Sequence, residues 1–177
     1  MQTIYDDNMG ILPEMTRPQD LSDAMKDTYE GGVDVYLAVC SRKSPAAFSP
    51  GAPNKKHWLV YWTLDLKDTP QEYYRVLQVI KDIPSNRYAN WGPTTLDKES
   101  FDEMYPKILQ KIKIAKYGLR DRTRWERAAN ETGTPQYDFM NVFDSQVWVE
   151  DLLRQVVQAG LITPLHRGQI VDLAKDV

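Results

Sequence analysis

The stretch HWLVYWTLD, His57 to Asp65, alternates: His57, Leu59, Tyr61 and Thr63 point one way, while Trp58, Val60, Trp62 and Leu64 point the other. A side-chain period of two predicts a β-strand. Upstream, VDVYLAVC repeats the pattern, with Val33, Val35, Leu37 and Val39 opposite Asp34, Tyr36, Ala38 and Cys40. Between the two lies SRKSPAAFSPGAPNKK, a Ser/Pro/Gly loop without apolar periodicity, and a connection of that length is often functional. Downstream, the short turn LKDTPQ leads into EYYRVLQVI, whose Tyr74, Val76, Gln78 and Ile80 share a face. A short connection between strands predicts an antiparallel hairpin.

The flanks read as helix and loop. TRPQDLSDAMKDTY, capped by Thr16 and ended by Gly31-Gly32, has helical spacing of Leu21, Met25 and Tyr29, and residues 1–13 before it read as an irregular arm. Asp82 to Glu99 reads as loop (IPSN, NWGPTTLDKES) with a short strand at RYANW. In SFDEMYPKILQKIKIAKYG, Ser100 caps a short helix that Pro106 interrupts, and the Ile/Lys alternation after it suits a strand. LRDRTRWERAANETG predicts a helix stopped at Gly133, and PLHRGQIVDLAKDV a terminal helix. In SQVWVEDLLRQVVQAG, residues Trp148, Val149, Leu152, Leu153, Val156 and Val157 form one apolar stripe ended by Gly160. Antiparallel strands flanked by helices make this an α+β chain, expected to form a single domain over residues 1–177.

Composition bounds the function. The 177 residues are 42% hydrophobic and 27% charged, an ordinary globular balance. The net charge of -3 argues against a protein built around nucleic acid, although KILQKIKIAKYGLRDRTRWER gathers lysines and arginines around Tyr117 and Trp125; a solvated face is the expectation there. A lone cysteine, Cys40, cannot form an internal disulfide, and no apolar run is long enough to span a bilayer, so a cytoplasmic setting is expected. No phosphate loop, metal-spaced Cys/His set or dinucleotide fingerprint occurs, so neither cofactor nor metal is expected. Oligomeric state is not readable.

Two histidines occur. His166 lies in TPLHRG, among residues that read as exposed. His57 opens a strand at the end of the long loop, a rigid support beside an entry, and suits acid/base work better. A strand-edge histidine bonded locally is the plainer reading. Cys40 ends a strand with no helix start to lower its pKa, and reads as a small buried hydrophobe.

The order HW-x-V-Y-W on a strand, then a second strand, then Asp144-Ser145-Gln146-x-Trp148-Val149 opening an apolar helix, resembles a group of small uncharacterised fungal proteins. Those carry a strand His-Trp and a helix-opening Asn-Cys-Gln-x-Trp-Val. That arrangement is similar to the circularly permuted papain-like thiol hydrolases and acyltransferases, the lecithin:retinol acyltransferase-like group. The resemblance covers roughly Val33 to Ile162. It implies a permuted papain-like topology and an acyl hydrolase or acyltransferase acting on an amide, ester or thioester of a small molecule or peptide. His57 would be the general base, residue 145 the nucleophile, and Gln78 the polar group orienting the imidazole. Gln146 and the N–H groups at the helix start would hold the oxyanion, with Trp58, Tyr61 and Tyr74 lining the substrate.

This sequence departs from the pattern at the decisive position, because Ser145 stands where the cysteine is expected. A helix N-terminus stabilises a thiolate, whereas a serine hydroxyl needs a stronger base and a fitted oxyanion hole. Three readings stay open: an engineered Cys-to-Ser form, a serine enzyme, or an inactive site that retains binding. Asp144-Ser145 also fits plain helix capping, worth about 1 kcal/mol. From another class, the alternative is a non-hydrolytic binding protein, or a cyclase or isomerase, using an aromatic-lined pocket.

Overall fold

The computed structural model describes residues 26–41, 56–66, 70–81, 87–134 and 144–177. The expected N-terminal arm, most of the long loop after Ser41 and all but residues 26–29 of the first expected helix lie outside them. Lys26 to Tyr29 carry no helix. In chain order the elements are β1 (Val33–Ser41), β2 (Lys56–Leu64), β3 (Tyr73–Leu77), β4 (Ile80–Lys81), β5 (Tyr88–Ala89), β6 (Thr94–Asp97), α1 (Lys98–Met104), β7 (Ile108–Tyr117), α2 (Leu119–Glu131), α3 (Ser145–Gln158) and α4 (Pro164–Lys175).

Five strands form an antiparallel sheet in the order β6-β3-β2-β1-β7, and β4 pairs with β5 beside it. The fold is α+β. The expected hairpin is the β2–β3 ladder, from Val60 opposite Leu77 to Leu64 opposite Tyr73. Two expectations change. EYYRVLQVI is not one strand: the ladder stops at Leu77, Gln78 and Val79 leave it, and Ile80 starts a new pair with Ala89. Thr94–Asp97, read as loop, is an edge strand against β3. Its β-branched threonines suit a strand, but the run is too short to show a period.

Alternation along β1 and β2 divides the core. On one face Val35, Leu37 and Val39 join Trp58, Val60 and Trp62 beneath α2, α3 and α4, which contribute Trp125, Trp148, Leu152, Leu153 and Ile170. On the other, Ala38, Cys40, Leu59, Tyr61 and Val76 pack under Phe101 and Tyr105 of the α1 region. Burying each large apolar side chain contributes about 1.5–3 kcal/mol, so the helix-covered face carries most of the hydrophobic stabilisation.

Helix ends follow local chemistry. The cap of α1 is Asp97, whose carboxylate accepts from the Ser100 N–H at 2.7 Å; Ser100 is inside the helix. Helix α2 ends before Gly133, at Glu131, with Thr132 in extended conformation. Helix α3 ends as its glycine predicts: Gly160 has φ +70°, the Gly160 N–H donates to the Val157 carbonyl and the Leu161 N–H to the Val156 carbonyl. A buried ion pair ties the entry segment to α2. Arg122 Nε donates to Asp27 Oδ2 at 2.5 Å, Trp62 Nε1 donates to the same oxygen at 2.8 Å, and the Arg122 guanidinium also caps the carbonyls of Gly31, Tyr29 and Tyr117.

Candidate active site

The start of β2 meets the start of α3. Asp144, in extended conformation, is the N-cap of that helix: its carboxylate accepts from the N–H groups of Gln146 at 2.9 Å and Val147 at 3.2 Å. Ser145 is therefore not the cap. It is the first helical residue, 3% exposed, and its Oγ accepts from the Trp58 backbone N–H at 3.2 Å. Trp58 lies beyond the last β2–β3 pair, Val60 with Leu77, so the hydroxyl holds β2 past the point where β3 stops. The neighbouring Gln146 donates from Nε2 to the Lys56 carbonyl at 3.2 Å. Consecutive residues of α3 thus hold the backbone on either side of His57.

The His57 ring leaves β2 on the face away from α3. Its Nε2 is 2.9 Å from Gln78 Oε1, and the ring stacks on Tyr105 with centroids 6.0 Å apart and planes within 6°. Gln78 reaches it because the chain has left the ladder at Leu77. Tyr105 donates its hydroxyl to the same Gln78 oxygen at 2.5 Å, and Gln78 Nε2 points to Met104 Sδ at 3.9 Å. A carbonyl oxygen only accepts, so the His57 Nε2 carries a proton toward Gln78. Burial pushes the Tyr105 phenol far above its ordinary pKa, so it stays a donor.

Of the residues expected from the sequence, His57 and Gln78 are in direct contact, and Ser145 and Gln146 bond the strand around His57. The Ser145 hydroxyl bonds the Trp58 backbone, not the imidazole. The expected oxyanion donors are partly engaged: the Gln146 and Val147 N–H groups serve the Asp144 cap. Trp58 is fully buried in the helix-covered core, on the opposite face from the His57 ring. Tyr61, 3% exposed, is stacked with Tyr36 and packed against Tyr74 and Phe101. Tyr74 is half-buried and stacks on Phe101 at 4.3 Å.

Cys40 stands directly across from His57 in the β1–β2 register. It is 1% exposed, and burial pushes its thiol pKa up to about 12, so it is a protonated core group at neutral pH. Sequence reasoning missed Met104 and Tyr105. Their signal was a short helix ended by Pro106, which fixes where the last side chains point but not what they meet.

At the other end of β1, where Val33 pairs with Tyr117, a cavity of about 720 Å³ is lined by Arg120, Arg124 and Arg127 among others. No group of acidic, histidine or cysteine side chains among the described residues could hold a metal ion. No helix among them is long and apolar enough to cross a membrane. The chain matches no family model, no curated protein and no solved structure.

Proposed function

We propose that the start of β2 and the start of α3 form an acyl hydrolase or acyltransferase site of the permuted papain-like kind, acting on an amide, ester or thioester of a small molecule or peptide. The observation that carries this is the pair of hydrogen bonds, Ser145 to the Trp58 N–H and Gln146 to the Lys56 carbonyl, that bracket His57 while Gln78 fixes its tautomer. In the reaction this reading assigns, the His57 imidazole is the base for the residue 145 side chain as that side chain attacks the carbonyl carbon, which requires the ring to turn from the face away from α3 toward the helix mouth. The N–H of residue 145, which the Asp144 side chain does not engage, faces the developing oxyanion. The imidazolium then protonates the leaving group, and water or an acceptor resolves the acyl intermediate. With serine at 145 the attack lacks the thiolate advantage, so this chain is a slow or silent form and a Ser145→Cys variant is the reactive one.

The test is alkylation of Ser145→Cys by iodoacetamide. Cys40 supplies the unreactive background. Labelling faster than that of the denatured chain, and slowed by His57→Gln, supports the reading; labelling at the denatured rate, or indifferent to His57, sinks it.

A second reading has its own observation. The Ser145 hydroxyl bonds to strand backbone instead of the imidazole, as a purely structural residue would. The protein would then be a non-hydrolytic small-molecule binder, or a cyclase or isomerase with His57 as a lone acid/base. The same experiment separates the two, since this reading predicts no His57-dependent labelling.

A further inference from the structure

We infer that Tyr105 is a positioning residue that selects the proton-bearing nitrogen of His57 by fixing which way round the Gln78 amide lies. The inference rests on the reading of His57 as a base and deepens it. Gln78 has two orientations. In the observed one, Oε1 accepts from both Tyr105 Oη, at 2.5 Å, and His57 Nε2, at 2.9 Å, while the amide nitrogen faces Met104 Sδ at 3.9 Å.

Flipping the amide would put N–H groups against Tyr105 and His57. Tyr105 is buried, and Gln78 Oε1 is the one hydroxyl acceptor that the described residues provide, so the phenolic proton would be orphaned. The carbonyl oxygen would also meet a thioether lone pair instead of offering it a donor. His57 would have to accept at Nε2, and its proton would move to Nδ1. The ring of Tyr105, parallel to the imidazole, holds the plane in which this choice is made. Helix α1 brings both Met104 and Tyr105 to the site, because its chain direction changes at Pro106.

The experiment is nitrogen NMR of the histidine rings in the full chain, with His166→Gln assigning the signals. In the unmodified protein, the two His57 nitrogens should resonate far apart, as in a single Nε2–H tautomer. Tyr105→Phe keeps the stacked ring and removes only the hydroxyl; the two resonances should converge toward the average of a mixture while those of His166 stay put. Gln78→Glu in the Tyr105→Phe background, recorded at a pH high enough that the imidazole is neutral beside the new carboxylate, should restore the Nε2–H form, because a carboxylate has no wrong way round. Unchanged separation in Tyr105→Phe, or no restoration by Gln78→Glu, overturns the inference. Since no substrate or alkylation enters this measurement, failure of the acyl-transfer reading and failure of the Tyr105 inference show separately.

Discussion

The hydroxyl oxygen of Ser145 and the backbone nitrogen of Trp58, 87 positions apart in the chain, are 3.2 Å from each other. Together with the Gln146 bond to the Lys56 carbonyl, this contact ties the mouth of α3 to the end of β2. It makes residue 145 structurally consequential whether or not it does chemistry.

Ser145→Ala leaves the buried Trp58 N–H without its acceptor, which costs about 1–3 kcal/mol. Urea denaturation should show that loss. A variant as stable as the original would mean that β2 finds another partner and the contact is incidental.

Position 144 offers a test of electrostatics. The resemblance pattern has asparagine before its nucleophile, whereas Asp144 places a carboxylate beside residue 145. Asparagine caps a helix as well as aspartate, so Asp144→Asn preserves α3 and removes the charge. In the Ser145→Cys background, the pH midpoint of alkylation should fall by about one unit, because a neighbouring anion disfavours the thiolate. A midpoint that does not move separates the carboxylate from the reactivity of position 145.

Asp27→Ala leaves the Arg122 guanidinium buried without its counter-ion. Arg122 is fully buried, and the carboxylate also holds Trp62, so breaking the pair should cost about 3–5 kcal/mol. Denaturant midpoints compared with those of Leu165→Ala provide the scale, since Leu165 is 74% exposed and its loss should change little.

Alkaline destabilisation should include a measurable share from Cys40. Its thiol, ordinarily near 9, is raised to about 12 by burial, so the folded state holds this proton more tightly than the unfolded chain. The contribution is fully present below pH 9 and is lost as pH rises through the window to 12, at about 1.4 kcal/mol per pH unit. The buried tyrosines lose stability in the same direction, so the informative quantity is a difference. The stability gap between the unmodified chain and Cys40→Ala should narrow as pH rises from 8 to about 10.5. A constant gap would mean that the thiol is not desolvated.

Leu152 sits fully buried between α3 and the sheet, and its truncation to alanine should cost about 2–5 kcal/mol. A smaller loss in thermal or denaturant melts would show that the helix-covered core relaxes around the gap.

What was legible in the sequence follows from short-range periodicity. The two-residue alternation of β1 and β2 sorted Val35, Leu37 and Val39 from Ala38 and Cys40, and Trp58 and Trp62 from Leu59 and Tyr61, onto the faces they occupy. The apolar stripe and Gly160 fixed α3 to its end. Shorter signals failed. Thr94–Asp97 is too brief to show a period, and Asp97 outcompetes Ser100 as a cap because a cap depends on where the helix starts. Of the candidate site, the sequence named His57 and Gln78 as partners without the register that joins them, while the burial of Trp58 on the other face was implied by its place in the alternation.

The sequence by itself determined which residues face which side of each strand and helix, because those periods are set by backbone geometry within a few residues. Tertiary structure alone decided that Gln78 leaves the ladder to meet His57, that Tyr105 and Met104 close around it, and that Ser145 accepts from the Trp58 backbone at the end of β2. Those contacts join residues 21, 26, 27 and 87 positions apart, and each depends on strand register and helix docking, which no local pattern encodes.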